Sequence, residues 1–153
     1  MRAVVQRSLK ASVSWEETDG RRSCSISAGL VAFLAVGPDD DGEVAKRLAD
    51  KVGEMRVFAG GDGRPSHSLW ELGLEALVIP QFTLYGDLRR GRRPSFVGAA
   101  PPDRAQRLFE AFCTRLERSA TVAKGSFGAH MEVSVVNDGP FTLYLDSDEL
   151  FGG

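Results

Sequence analysis

Val4, Val5, Val13 and Trp15 stand among polar neighbours in extended patterns, and Asp19-Gly20 after them predicts a hairpin turn. Beyond Ile26, the run Leu30-Val31-Ala32-Phe33-Leu34-Ala35-Val36 is short and continuously apolar, the pattern of a central strand buried on both faces. Gly37-Pro38 ends it. The period then changes: Val44, Leu48, Val52 and Met55 recur at helical spacing, predicting an amphipathic helix over residues 41–54. Asp39-Asp40-Asp41 offer capping carboxylates, with Glu43 three residues after Asp40 as in a capping box. Arg56-Val57-Phe58 returns to an extended pattern. Residues 59–68, rich in Gly with Asp62-Gly63 and Pro65, read as a loop.

In the second half, Glu75 to Thr83 is predicted as a strand around the apolar run Ala76-Leu77-Val78-Ile79, and residues 86–100 as a long basic loop. Pro101-Pro102-Asp103 opens a second helix whose core face is Ala105, Leu108, Phe109, Phe112 and Leu116. Val122, then Met131, Val133 and Val135, and finally Phe141, Leu143 and Leu145 predict closing strands, the last two joined at Asn137–Pro140. No internal repeat, linker or low-complexity segment interrupts the chain. The expectation is one α/β domain over residues 1–153, with a mixed, largely antiparallel sheet and two main helices. No G-x-G-x-x-G or Gly-Lys-Ser/Thr sequence occurs, which removes Rossmann and P-loop readings.

Composition adds limits. The 153 residues are 42% hydrophobic and 26% charged, an ordinary globular balance with enough length for a core. No run of about eighteen apolar residues is present, and Met1–Arg7 reads as a first strand, so a cytoplasmic protein is expected. Cys24 and Cys113 are expected to be free thiols. His67 and His130 are far apart, and no CxxC or HxxxH spacing occurs, so neither metal nor cofactor is expected. The absence of G-x-S-x-G removes one familiar route to a histidine-based triad. With a net charge of −2 the overall field gives no reason to expect nucleic acid. The local pattern differs: Arg89, Arg90, Arg92 and Arg93 flank Gly91, either a solvated loop or a grip on a phosphate backbone.

Two motifs carry the chemistry. In Pro80-Gln81-Phe82-Thr83-Leu84-Tyr85-Gly86-Asp87, Gln81 and Thr83 would share one face of a strand. A Thr hydroxyl can attack or donate, and a Gln amide or backbone N–H can stabilise an oxyanion. Thr also suits any strand, and no general base stands nearby. In Asn137-Asp138-Gly139-Pro140-Phe141-Thr142, Pro140 cannot serve a sheet ladder, and the residues before it favour a constrained corner or an ordinary turn.

These strings are similar to those of the D-aminoacyl-tRNA (D-tyrosyl-tRNA) deacylase family. The resemblance runs from Met1 to Asp146. It takes in Met1–Arg7, Gln81–Asp87, Gly91-Arg92-Arg93-Pro94-Ser95-Phe96, Ala99-Ala100-Pro101, Phe127-Gly128-Ala129 with Met131, and Asn137–Thr142. It implies a barrel-like core and hydrolysis of the ester joining a D-amino acid to the 3′ end of tRNA, glycine included. It also implies a homodimer with a cross-subunit active site; no membrane partner is expected, for want of a long apolar run. Gln81, Phe82 and Thr83 would be catalytic. Pro80, Asn137, Gly139, Pro140 and Thr142 would bind substrate and reject the L enantiomer, with a cis Gly139–Pro140 bond whose carbonyls exclude an L side chain. Arg89, Arg90, Arg92 and Arg93 would contact tRNA. Two mechanisms fit: attack by Thr83, or assistance from the adenosine 2′-hydroxyl with backbone N–H groups around Gln81 and Phe82 positioning the ester. The second is favoured, because Thr83 has no base. The chain departs from the family where Pro80 replaces the usual Ser and where Gly63-Arg64-Pro65-Ser66 replaces Gly-Lys-Met-Asn. A Pro-Gln pair also resembles a branch that removes L-alanine from tRNA, though that branch carries Ala in place of Phe82. The alternatives are therefore a relaxed or L-alanyl deacylase, or a catalytically silent tRNA-binding dimer.

Overall fold

The computed structural model describes residues 1–152. In chain order the elements are β1 Arg2–Glu17, β2 Gly20–Ile26, β3 Gly29–Ala35, α1 Gly42–Glu54, β4 Phe58–Ala59 and β5 Pro65–His67. They continue with α2 Leu69–Leu72, β6 Glu75–Pro80, a 3-10 turn Phe82–Tyr85, α3 Pro102–Leu116, β7 Thr121–Lys124, β8 Met131–Asp146 and α4 Ser147–Phe151.

Strand β1 organises the sheet. Its first half pairs with β3, Ala3 opposite Leu34, and its second half pairs with β2 through the expected Asp19-Gly20 turn. Gly20 sits at φ +133°, a conformation that L side chains rarely adopt. Strand β8 runs antiparallel along the other edge of β1, while β6 and β7 continue from β3 in parallel. The sheet is thus mixed, in the order β2-β1-β3-β6-β7 with β8 beyond β1. It curls until β2 meets β7, where the Cys24 thiol donates to the Lys124 carbonyl at 3.4 Å. The result is the nearly closed, barrel-like sheet that the resemblance implied.

The continuous apolar run of β3 follows from this curvature. Leu30, Ala32 and Leu34 face one core with Ala76 and Val78 of β6, covered by α1 and α3 through Leu48, Val52, Phe109 and Phe112. Val31 faces a second core inside the curl, with Val13, Ile26, Leu77 and Ile79. Strands buried on both faces cannot show alternation. Phe112 is fully buried, and its truncation to Ala would remove about 3–5 kcal/mol by the usual cost of deleting a core aromatic. A half-buried ion pair from Arg115 to Asp50, 2.6 Å, ties α3 to α1.

Several boundaries differ from expectation. Asp41, not Asp40, caps α1, accepting from the N–H groups of Glu43 and Val44 at 2.9 Å each. Asp40 turns inward to the Met1 amino group at 2.5 Å and the Gly37 N–H at 2.6 Å. A capping box does exist, at Ser68 and Glu71 of the short helix α2. Part of the expected 59–68 loop pairs as the β4–β5 hairpin. Strand β6 ends at Pro80, not Thr83: β7 pairs no further than Val78 and β3 no further than Pro80, opposite Leu34, so the next residues close hydrogen bonds among themselves in the 3-10 turn. Residues 131–146 form one strand, not two. Asn137–Thr142 is a bulge in it: three extra residues between Asn137, opposite Ser8, and Thr142, opposite Gln6, are pushed out of the ladder.

Candidate functional site

A cavity of about 670 Å³, within the usual range for ligand sites, opens at the carboxyl ends of the parallel strands β3 and β6. Its floor comes from Leu34–Val36 and Ile79–Gln81, one wall from Phe96 and the start of α3, and the other from Phe127–Met131 after β7. This is where parallel strands ordinarily present ligand sites, since side chains and backbone groups leave the sheet there together. The lining is mostly apolar, and His130 is its only ionisable side chain.

The rim is built by the 3-10 turn. Gln81 N–H donates to Leu34 O at 2.8 Å, which keeps the turn attached to β3 and makes that N–H unavailable to a ligand. Leu84 N–H donates to Gln81 O at 3.2 Å and Gly86 N–H to Thr83 O at 2.9 Å. The leading N–H groups of the turn, those of Phe82 and Thr83, have no backbone acceptor among the described residues, as the first donors of any helical turn must. The donors open to an oxyanion are therefore Phe82 and Thr83 rather than Gln81. The Gln81 side-chain amide donates to the Thr83 hydroxyl. That geometry differs from a shared strand face, yet it brings the two side chains together. No carboxylate or imidazole hydrogen-bonds the Thr83 hydroxyl among the described residues, so nothing there takes its proton. Phe82, 58% exposed, is held edge-on by Phe96, ring centroids 5.1 Å apart.

The second motif lies elsewhere. None of Asn137, Gly139, Pro140 or Thr142 lines the cavity. Along the sheet, β8 is separated from β6 by β1 and β3, three strand spacings or roughly 14 Å. The bulge is stapled at its base: Asn137 Nδ2 donates to Thr142 Oγ1 at 2.9 Å, Phe141 N–H to Asn137 Oδ1 at 2.9 Å, and Gln6 Nε2 to Thr142 Oγ1 at 3.1 Å. Arg7, which pattern reading passes over as one more polar residue of β1, holds the tip. Its guanidinium donates to Val57 O at 2.5 Å and Asp138 O at 3.1 Å, and lies 5.0 Å from the Phe141 ring centroid. Its Nε is 3.0 Å from the Asp138 carboxylate but out of line for a hydrogen bond, so that contact is electrostatic. Gly139 takes φ +102°, so the backbone calls for glycine, and a Cβ there, 2.6 Å from Arg7 Nη2, would displace the guanidinium. The described residues contain no cis peptide: the Gly139–Pro140 bond is trans, against the cis bond the resemblance implied. Trans is the commoner X–Pro isomer, and the positive φ of Gly139 turns the corner instead.

The arginine segment forms a pinched loop. Asp87 and Ser95 exchange backbone hydrogen bonds of 2.8 and 2.9 Å, closing residues 88–94 beside the turn. Arg89 folds back on Asp87, its Nη2 2.7 Å from the carboxylate, and its side-chain and backbone N–H groups pull that carboxyl down to about 2. Arg90, Arg92 and Arg93 are exposed and form no ion pair among the described residues.

The family model for D-Tyr-tRNA(Tyr) deacylase matches residues 4–146. The chain belongs to that family. It is 52% identical over 148 residues to a D-aminoacyl-tRNA deacylase of Roseiflexus castenholzii, covering 96% of this chain and 92% of the relative. To a D-aminoacyl-tRNA deacylase of Thermotoga petrophila it is 49% identical over 152 residues, covering 99% and 100%. Among solved structures, the c-Myc DNA Unwinding Element Binding Protein superposes with a TM-score of 0.85 at 31% identity, covering 95% of this chain and 98% of that one. A probable eukaryotic D-amino acid tRNA deacylase shares the fold, TM-score 0.81 at 17% identity, over 94% and 97%.

Within this deacylase family member, one chain brings Pro80, Gln81 and Phe82 to the cavity, sets Thr83 beside them, and leaves Asn137–Thr142 outside. Ala99–Pro102 and Phe127–Met131 line the cavity although sequence reasoning assigned them no role. For all but Pro102 and His130 the signal was a place among the family-like strings, since apolar residues in loops have little chemistry of their own. Cys113 takes no part: burial in the core pushes its thiol up to about 12.

Proposed function

We propose that the cavity beside Pro80–Phe82 receives the aminoacylated 3′ terminus of tRNA and that the chain hydrolyses the ester of D-aminoacyl-tRNA, and of glycyl-tRNA, to free tRNA and amino acid. The observation that carries this reading is the pair of unpaired N–H groups, Phe82 and Thr83, at the rim of an apolar cavity in a chain half identical to D-aminoacyl-tRNA deacylases. Water adds to the ester carbonyl carbon, and the oxyanion that forms accepts from those two N–H groups. The bond to the ribose oxygen then breaks, and the proton from the attacking water passes to that oxygen, with the neighbouring 2′-hydroxyl as relay. Each such donor is worth about 2.7–4 kcal/mol in comparable sites. Thr83 is not the nucleophile in this mechanism; its hydroxyl is a partner of Gln81.

Chiral selection is assigned to the Asn137–Thr142 bulge of a second copy. The cavity is open, the bulge is preformed and outward, and β8 offers a free edge sixteen residues long with Val133 and Val136 exposed. Long bare edges are normally covered. Arg90, Arg92 and Arg93 serve the tRNA backbone, and the setting is the cytoplasm. No helix of the described residues is long and apolar enough to cross a membrane.

The test is amino acid release from D-tyrosyl-, glycyl- and L-alanyl-tRNA side by side. Loss of the first two with the third spared is the expected result. Equal loss of L-alanine would assign Pro80, in the cavity floor, to the relaxed branch; no turnover would leave a tRNA-binding dimer. Light scattering gives the copy number. Gly139→Val chains should hydrolyse L-alanyl-tRNA as well, and if the bulge acts across the subunit boundary, admixed Phe82→Pro chains, inactive but with an intact bulge, should restore the sparing of the L ester.

A further inference from the structure

The 3-10 turn at the cavity rim is held from behind by a cluster that the reaction does not use. Arg2, near the start of β1, donates through Nη1 to Leu84 O at 3.2 Å, inside the turn itself. Its guanidinium carbon lies 4.4 Å from the centroid of the Tyr85 ring, the last residue of the turn. Its Nε donates to Asp146 Oδ2 at 3.0 Å, and Asp146 is itself fixed by the Tyr144 hydroxyl at 3.1 Å and by the Asp148 N–H at 3.0 Å. The guanidinium therefore has a rigid carboxylate on one side and the turn on the other, with its plane shared by an aromatic face. Tyr85 has a prepared seat. A Cβ on Gly37 would stand 2.6 Å from the Tyr85 hydroxyl oxygen and 3.1 Å from Cζ, so the ring occupies space that only glycine leaves. Burial, together with the Asp40 carboxylate, keeps the Tyr85 phenol neutral far above the ordinary range, so Arg2 meets a neutral ring.

We propose that Arg2 and Tyr85 form a brace that fixes the Phe82 and Thr83 N–H groups in position, Arg2 acting as a positioning residue for deacylation. This rests on the reading of the turn as the oxyanion site. The turn closes on itself through Leu84 N–H to Gln81 O and Gly86 N–H to Thr83 O, and its outer residues Phe82 and Thr83 are exposed. Without Arg2 nothing else described ties Leu84 O down, and a displacement of an ångström at oxyanion donors is enough to slow a reaction strongly.

The experiment measures kcat and KM for D-tyrosyl-tRNA with Arg2→Ala, Arg2→Lys, Tyr85→Ala, Tyr85→Phe and the double variant Arg2→Ala/Tyr85→Ala. Arg115→Ala, which breaks the remote ion pair to Asp50, is the stability control. Arg2→Ala and Tyr85→Ala should each lower kcat roughly 10- to 100-fold with KM changed less than about twofold, the pattern of lost transition-state positioning. The double variant should be no slower than the slower single one, because each removes the same brace. Tyr85→Phe keeps the ring and should keep the rate, and Arg2→Lys should recover part of it. Arg115→Ala should lower the melting temperature and leave kcat alone. The brace is overturned if kcat stays intact in folded Arg2→Ala, or if Tyr85→Phe is as slow as Tyr85→Ala, or if rate merely follows melting temperature across the set. Phe82→Pro separates the two levels: if it is inactive while Arg2→Ala is fully active, only the brace falls; if Phe82→Pro is also active, the oxyanion site and the brace fall together.

Discussion

The Gln81–Tyr85 turn and the Asn137–Thr142 bulge begin from the same problem, a sheet ladder that stops, and resolve it in opposite ways. At the turn the chain runs out of partners after Pro80 and leaves the Phe82 and Thr83 N–H groups unpaired beside an apolar cavity. At the bulge the backbone and side chains staple one another: Asn137 to Thr142 and Phe141, Arg7 to Asp138 and Val57, leaving Gly139 and Pro140 exposed but fixed. Unmet donors beside a dry pocket suit charge that develops during a reaction. A finished, outward corner suits recognition by shape. Two motifs that both interrupt strand-forming runs thus differ in kind.

The largest expected effect is at the turn. Phe82→Pro removes one unpaired N–H at a first-turn position that proline tolerates, whereas Phe82→Ala removes only the ring. Deacylation of D-tyrosyl-tRNA should fall about 10²- to 10³-fold further in the Pro variant than in the Ala variant, the loss expected for one oxyanion donor. Single-turnover rates read this directly, and equal rates would mean that the N–H is idle.

Next comes the bulge. Arg7→Ala strips charged hydrogen bonds from Val57 O and Asp138 O, worth about 1.5–3 kcal/mol each in general, and frees the tip. The expectation is a lower melting temperature and a smaller ratio of D-tyrosyl to L-alanyl hydrolysis, with the D rate falling less than in Phe82→Pro. A variant that loses D activity as fully as Phe82→Pro, with its L-alanyl rate unchanged, would make the bulge part of the reaction rather than of selection.

Smaller again is the arginine loop. Replacing Arg90, Arg92 and Arg93 by Ala should raise KM for tRNA by roughly tenfold at low salt and flatten its salt dependence by nearly one logarithmic unit per lost phosphate contact. Arg89→Ala should do less, since Arg89 is already bound to Asp87. Asp87 is held at about 2, below the ordinary carboxylate value of about 3.9. The Asp87–Arg89 contribution is therefore present above that ordinary value and lost only as pH falls through about 2. Affinity should show no step from this pair between about pH 5 and 8.

How much of this could be read from the string depends on period and partner. The helices over Val44–Met55 and Ala105–Leu116 were legible because 3.6-residue spacing is a property of the segment alone. Strand ends were not. Residues 75–83 look like one strand, and only its neighbours decide where pairing stops, β7 after Val78 and β3 after Pro80. Residues 131–146 look like two strands around a turn, yet continuous pairing with β1 makes them one strand with a bulge. Arg7 and Arg2 were illegible for the same reason: a strand arginine looks solvated until the distant groups it holds, Val57 and Leu84, are placed beside it. The core of the candidate site, Pro80–Thr83, was visible as a family-like string, while its walls, Ala99–Pro102 and Phe127–Met131, came together only through the fold.

The smallest expected effect is the sharpest test of mechanism. Thr83→Ala removes a hydroxyl whose described partner is the Gln81 amide, leaving the Thr83 N–H in place. A hydrogen bond of that kind is worth about 0.5–1.5 kcal/mol net, so the rate should stay within roughly tenfold of the parent. Were Thr83 the nucleophile, the acyl group would pass to its oxygen, and alanine there would cost on the order of 10⁴-fold with tRNA binding intact. A group that attacks needs somewhere to send its proton, and the oxygen of Thr83 is paired with a donor, not a base.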